Sequence, residues 1–526
     1  MTMRIGGLAS GMDIDAMVKE MMKGHVVRRD QIYQKKVQTE WRQTEIIDLN
    51  SQLRDFRDAI FKLKLSNSTS PKSVTSGNSI AVTATATADA ANTSHMVKVK
   101  SLAQGVTKGS EAAISATANA NKNALKTHLG LTSTDVFTMK LNGKEISVDP
   151  NKSIYEWVNN INKAGAGVKA NYDVNLDRVF LYTTEQGPTT KIDFTGTTDA
   201  QAQEMIGKLK LGASPTDNWS LDVNGDGTPD NVGYKWVGTA AEVEIDGITY
   251  SNLSKNTLTV AGVVYSFLQK TEGTAEPIVT LQVSPDLEGT VKTVKDFVDK
   301  YNEMLNKLNG ELKEKTYRDF LPLTDEQKRA MKENEIKLWE EKAKSGLLRN
   351  ESSLRNLVSQ MRFAVSDAIG ELKGKYKSLS SIGITTGLYS EGGKLYLNED
   401  VLLKALTENP DVVSELFGTT VTKADPSNPE NKINDLSRSG VAVRLYDRLK
   451  EAMDKMRVRA GTLPGADDMS DLGKQLRRYN KQLDDMEERM HRLENQYYRQ
   501  FSALETALQR ANAQSAWLSQ QFGAKG

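Results

Sequence analysis

The chain has 526 residues, which at roughly 150 residues per domain implies about three or four domains rather than a single core. Lys plus Arg number 69 and Asp plus Glu 68, so with a net charge of +1 no global positive field marks it as a binder of nucleic acid or of an anionic membrane. The absence of cysteine excludes thiolate catalysis, Cys-ligated zinc and disulfides, and a hydrophobic content of 38% predicts thin cores and long solvated helices.

The first residues lack the unbroken apolar stretch of a secretory signal, and no apolar run approaches a membrane span, so neither the general secretory route nor membrane insertion is expected. A Gly-rich stretch at residues 6–11 precedes Asp13, which is placed to cap a helix whose apolar stripe is Ile14, Met17, Val18, Met21 and Met22. Methionine adapts to irregular apolar surfaces, so this stripe suits packing on a core or on a partner helix. A second seam, Ile46, Leu49, Leu53, Phe56, Ile60 and Leu63, advances by alternate threes and fours, as in a coiled coil, and should stop near residues 66–71.

Residues 80–88 then alternate with strict period two, and Val97 and Val99 repeat the pattern, which predicts strands. Asn142-Gly143 and Asp246-Gly247 lie between alternating segments and predict two hairpins, because both turn positions need positive φ. With one helical interruption near residues 153–162, the stretch from about 72 to 285 reads as β-rich. Helical seams resume at Val291 to Leu312, Leu354 to Ala368 and Val441 to Met456, and the last, beginning at Leu472, runs through Phe501, Leu504, Leu508 and Leu518. Successive steps of four at Leu493, Tyr497 and Phe501 form a stutter that should unwind a left-handed supercoil locally.

The expected fold class is therefore α+β multidomain. Coiled-coil-like terminal helices and a helical bundle come from both chain ends, with one or two β-rich domains inserted between them. The expected divisions are residues 1–45 with 475–526 as a terminal leg, 46–72 with 288–474 as a bundle, 73–112 with 237–287 as a β-rich plate, and 113–236 as a second β-rich insertion. An isolated amphipathic helix is marginal in water, so the leg segments, lacking intermolecular partners, are expected to be mobile in a monomer.

The sharpest chemical motif is at residues 222–230. Asp222, Asn224, Asp226 and Asp230 occupy positions 1, 3, 5 and 9 of a calcium loop, the Thr228 carbonyl stands at position 7, and Gly227 allows the sharp turn. Gly233 replaces the bidentate Glu of an EF-hand, so the motif is a candidate Ca2+ loop between strands, to be weighed against an ordinary polar turn. No phosphate loop, nucleophile elbow or strand-linked Gly fingerprint occurs, and His25, His95, His128 and His491 are scattered, each expected at the surface. No enzyme activity and no required cofactor are expected.

Four blocks, in order, resemble the flagellar filament cap family, also called the flagellar hook-associated protein 2 family. They are GGLASGMDIDAMVKEMM at the start; Phe297, Val298, Tyr301, Asn302 and Leu305 in DFVDKYNEML; the IGI, GKL, AL and LF elements of residues 378–417; and Leu504, Glu505, Asn512, Ser515 and Leu518 in the last helix. Ile161-Asn162 with Val168-Lys169-Ala170 is similar to the "IN" motif of hook-associated proteins and flagellins. Residues 321–349 resemble an insertion in Gram-positive members of the family.

The resemblance implies a homo-oligomeric ring, with five subunits favoured, at the distal end of the bacterial flagellum. Its partners would be flagellin, hook–filament junction proteins, the flagellar type III export apparatus, which would pass the chain without a cleaved signal, and a cytoplasmic export chaperone. On that reading Met17, Met21, Met22, Phe501, Leu504, Leu508 and Leu518 contact flagellin or neighbouring subunits. The alternative is an exported flagellar adhesin whose β insertion binds glycan or host protein.

Overall fold

The computed structural model describes residues 13–118, 120, 122–212, 220–221, 231–232, 234–462 and 468–523. The chain divides into two units, Met1–Ser70 with Leu287–Gly526 and the continuous stretch Pro71–Asp286.

In the first unit, Asp13 caps a helix that runs from Ile14 to Lys62, its Oδ1 accepting from Ala16 N at 2.9 Å. The two apolar stripes read from the sequence therefore belong to one helix of 49 residues, and the expected division at 45/46 falls inside it. The physical reason is simple. No proline precedes Pro71, and the middle stretch buries Thr39 and Gln43 where a hydrophobic seam would have been noticed.

From Ile46 onward this helix enters a bundle. Ile46, Leu49, Leu53, Phe56 and Ile60 pack with Val294, Tyr301 and Leu305 of helix Leu287–Lys313, with Leu354, Leu357 and Met361 of Ser352–Ser366, and with Leu445 and Leu449 of Val441–Ala460. Phe297 meets Phe417 edge to face at 5.0 Å, an arrangement that suits the ring quadrupoles. Arg444 is buried within the bundle. Its guanidinium donates to the carbonyls of Asp367 (2.9 Å), Ala368 (2.9 Å) and Ser437 (3.1 Å), so a cation sits where the Ser352–Ser366 helix ends and carbonyls lack helical partners.

The second unit holds two apolar clusters. The first lies within an eight-stranded antiparallel sheet ordered 248–253, 241–245, 94–101, 279–285, 72–76, 82–86, 263–267, 257–260. Its edge strands, Ile248–Leu253 and Thr257–Val260, are joined by only three residues, a link that spans at most about 14 Å. The sheet must therefore curl until its edges approach one another, wrapping Val97, Val99, Val243, Tyr265, Leu281 and their neighbours as an open barrel.

The second cluster fills a mixed lobe. Helix Ile154–Lys163 lays Ile154, Trp157 and Ile161 on strands Lys144–Val148 and Val168–Asp173. Asn162 at the end of this helix accepts from Ala170 N (2.9 Å) and donates to Ala170 O (3.0 Å), while Lys169 donates to the Asn162 carbonyl (2.8 Å). An asparagine here stands in for a strand neighbour, which explains why the Ile-Asn and Val-Lys-Ala segments occur together. Besides the expected helix, the unit contains the short helices Leu125–Leu129 and Ala200–Lys208, which correct the expectation of a single helical interruption. Neither is long enough for its spacing to stand out.

Two of the histidines are also not at the surface. His95 is buried, its Nδ1 2.6 Å from Asp246, and His128 is fully buried with Nε2 2.9 Å from Asp177. Asp177 also accepts from Tyr172 Oη (2.6 Å) and Ser115 N (2.9 Å). Burial alone would raise this carboxyl, but the bonds from Ser115, Tyr172 and His128 outweigh it and hold Asp177 well below the ordinary carboxylate range. The partners lie 49 and 151 residues from their histidines, beyond any local pattern.

Candidate assembly interface

The two chain ends pair in the first unit. Ile14, Val18 and Met22 are buried against Met490, Leu493, Tyr497, Tyr498 and Phe501 of the terminal helix Asp471–Gly523. Tyr498 Oη donates to Asp15 Oδ1 at 2.8 Å, and some 28 residues along the first helix Gln43 Nε2 donates to Asp468 Oδ2 at 2.5 Å. Low numbers on one side match high numbers on the other, so the helices run antiparallel.

The pair is anchored where the terminal helix begins. Gln43 Nε2 also donates to the Ala460 carbonyl (2.8 Å), and the Asp468 carboxylate accepts from Ser470 N (2.9 Å) and Ser470 Oγ (2.8 Å). Arg477 Nη1 donates to the Asp468 carbonyl at 2.6 Å. Burial raises the Asp468 carboxyl, but the Ser470 and Gln43 bonds and the Arg477 charge outweigh this and keep it below its usual value. A Cβ at position 473 would lie 2.4 Å from the Asp468 carboxylate, so Gly473 is required for this close approach. The start of the terminal helix is thus fixed against the first helix by Gln43, Asp468 and Gly473, and it continues the antiparallel course that helix Val441–Ala460 already follows, with Asn50 Nδ2 donating to the Met453 carbonyl at 3.1 Å.

Away from the anchor, cover thins. Met22 is buried and Phe501 half-buried, and they share one cluster. Met17, Met21 (46% exposed), Leu504 and Leu518 face solvent, Leu508 is half-buried, and residues 511–520 are exposed throughout, including Trp517 at 55%. Apolar side chains on an otherwise solvated helix form a face able to bury itself against another surface. The sequence reading missed Gln43, Asp468, Tyr498 and Trp517. Tyr498 is the second of two tyrosines and off the expected seam, and Gln43 and Asp468 are polar residues that matter only through each other. Trp517 stood next to Leu518 and could have been included on its size alone.

The candidate calcium residues Asp222, Asn224, Asp226, Thr228 and Asp230 lie outside the described residues. Among the described residues, no group of three or more His, Asp or Glu side chains is arranged to hold a metal ion. No described helix is long and apolar enough to cross a membrane.

The chain matches two family profiles, the N-terminal region of flagellar hook-associated protein 2 over residues 10–106 and its C-terminal region over residues 238–513. It is 32% identical to flagellar hook-associated protein 2 of Halalkalibacterium halodurans over 99% of this chain and 100% of that protein. The chain belongs to the flagellar hook-associated protein 2 family. A relative of the same name from Thermotoga maritima is 26% identical over 73% of this chain and 54% of its own length. A crystal structure of three domains of the flagellar cap protein from Escherichia coli shares 20% identity over 77% of this chain and 95% of that one, with a TM-score of 0.49. The two profiles meet the paired ends, the bundle and the curled sheet of this family member, and the mixed lobe lies largely in the interval between them.

Proposed function

We propose that this family member is a subunit of the oligomeric cap at the distal end of the bacterial flagellar filament, where it holds exported flagellin while flagellin folds and inserts. The observation that carries the reading is the terminal arm. Both chain ends join in one antiparallel helix pair, and its far part leaves Met17, Met21, Leu504, Trp517 and Leu518 uncovered in a chain whose whole length matches the family. Such a face buries apolar area only when a second protein lies on it. The work is structural, since templating a folding partner needs complementary surface rather than a bond-making group.

On this reading the subunits form a homo-oligomeric ring with five as the number to test, leave the cell through the flagellar type III route without a cleaved signal, and meet flagellin and the junction proteins at the filament. Deleting the gene in its host should leave hooks without filaments, release flagellin monomers into the medium and abolish swimming. Normal filaments and swimming would refute the proposal. The 222–230 loop adds a calcium site to the same reading. Titration calorimetry with millimolar Ca2+ should show binding that is lost when Asp222 and Asp226 are changed to Asn, and no heat with the unchanged chain would remove it.

A further inference from the structure

The stretch that follows helix Leu287–Lys313 does not enter the bundle directly. Residues 314–351 form an arm that contains helices Asp325–Arg329 and Glu333–Lys344 and lies along the middle of the Ile14–Lys62 helix, the part without a hydrophobic seam. Its own fold is held by Trp339, whose Nε1 donates to the Leu321 carbonyl at 2.8 Å while its ring meets Phe320 at 4.6 Å. Its hold on the long helix is mostly polar. Lys344 stands 5.0 Å over the Trp41 ring, and Arg42 pairs with the buried Glu351. The arm also closes on its own root, where Gly346 N donates to Glu314 at 2.6 Å and Ser345 Oγ donates to the Lys315 carbonyl at 2.5 Å. Gly346 has φ +79°, and a Cβ there would strike Thr316 Oγ1 at 2.4 Å, so the closure depends on glycine.

Glu45 sits at this junction, one turn from Trp41 and Arg42. Its Oε2 is buried and receives no hydrogen bond among the described residues. An ionised carboxylate in that position is disfavoured by lost hydration. The charged groups around it come from each packed element: Arg42 from its own helix, Lys307 and Glu311 from helix Leu287–Lys313, Glu314 from the arm's root, and Lys344 and Glu351 from the arm. Lys307 is already paired with Glu311 at 2.9 Å, and Lys344 leans on Trp41, so neither is dedicated to Glu45.

We propose that residues 314–351 are a releasable brace on the long helix, latched when Glu45 is protonated and loosened when Glu45 is ionised beside Glu311 and Glu314. Burial first, and then the charges of Glu311 and Glu314, push the Glu45 carboxyl up to about 7 in the latched state, against 4.5 for a free glutamate. The sign follows from linkage. Below about pH 4.5 both states hold the proton and the latch has its full strength. Between 4.5 and 7 only the latched state keeps it, so latching weakens as pH rises, and above 7 both states are ionised and the effect levels off. Leu348 near the end of the arm belongs to the bundle cluster and stays in it, so the opening is confined to the stretch before it, and the device would change the stiffness of the arm-bearing stretch while the unit stays folded. The inference is independent of the cap reading.

Hydrogen exchange of the full chain, corrected for intrinsic rates and followed by mass spectrometry from pH 5 to 9, tests it. Protection of peptides spanning 333–351 and 36–48 should fall by at least about tenfold between pH 5 and 7.5, the equivalent of one pKa unit, and then stay level. Bundle peptides around Leu53 and Leu357 should not change. Glu45→Gln, which fixes the neutral form, should keep the pH 5 protection at every pH, and the Glu311→Gln/Glu314→Gln pair should move the fall to lower pH. Protection in the unchanged chain that does not vary with pH would overturn the proposal, as would a Glu45→Gln chain that still loses it. The unchanged chain decides the first point alone, so a variant that folds poorly does not rescue the idea.

Discussion

The first long helix carries the same three-four spacing at both ends and meets two different fates. At Ile46 to Ile60 its seam is enclosed by helices from three other parts of the chain, whereas at Ile14 to Met22 it meets, among the described residues, only the terminal helix, and Met17 and Met21 are exposed. Spacing encodes a face; the number of partners that cover it decides whether the face is core or interface. The comparison breaks most readily at the enclosed end. Leu53 is fully buried, so Leu53→Ala should cost about 3 to 4 kcal/mol in urea unfolding, the sum of lost transfer energy and an unfilled cavity. A cost below about 1 kcal/mol would mean that the bundle end is as open as the far end.

A second contrast lies in how the two units treat buried charge. The helical unit buries Arg444 among carbonyls with, among the described residues, no carboxylate bonded to it, and the β unit buries Asp177 among donors. Arg444→Leu should therefore leave carbonyls of Asp367, Ala368 and Ser437 without donors and destabilise by about 3 kcal/mol. Arg444→Lys should recover little, because one ammonium cannot reproduce the planar fork that reaches all three. Exchange at residues 366–370 and 437–440 reads the damage. Asp177 should show a weaker and pH-dependent effect. Its carboxyl is depressed in the fold, so its stabilisation is complete above the ordinary value of 3.8 and is lost as pH falls below it. Protection of residues 114–129 should hold from pH 7 to 5 and fall below about 4, and Asp177→Asn should remove that dependence at a cost of about 2 kcal/mol. Persistence of the acid step in Asp177→Asn would assign it to another group.

What could be read in advance followed range in sequence. Asn142-Gly143 and Asp246-Gly247 did form hairpin turns, with φ of 50° and 77° and of 52° and 82°, because a turn's chemistry is carried by its own two residues. The long seams formed helices for the same local reason. The curled sheet was not legible, since Lys72–Ser76 pairs with Val279–Pro285 across some two hundred residues and only the three-residue link between the edge strands reveals the closure. The continuity of the first helix was missed because its middle buries Thr39 and Gln43 and leans on the polar side of the arm. The buried His95 and His128 were missed because their aspartates come from other strands and turns. In the terminal helix pair, the apolar members were readable from periodicity, while the Gln43–Asp468 anchor that holds the start of the terminal helix was not.

The smallest expected effect on stability falls at the uncovered end, and there the comparison is sharpened most. Met21 and Leu518 are exposed, so Met21→Ser and Leu518→Ser should each change monomer stability by no more than about 0.5 kcal/mol, because little area leaves water when the chain folds. Met22→Ser, one residue away on the covered side, should cost about 2 kcal/mol, since Met22 is buried against the terminal helix. If the uncovered face is an assembly surface, the ranking inverts when filament length replaces unfolding as the readout: Met21→Ser with Leu518→Ser should shorten or abolish filaments while leaving the urea midpoint unchanged. Full-length filaments from that double variant would place the assembly contact elsewhere, and a shifted midpoint would show that these side chains are packed within the chain after all. The residues that pack the helix pair point inward, and among the described residues the neighbouring positions on the same turns have no intrachain surface to cover them, so on the cap reading stability and assembly should separate at this end.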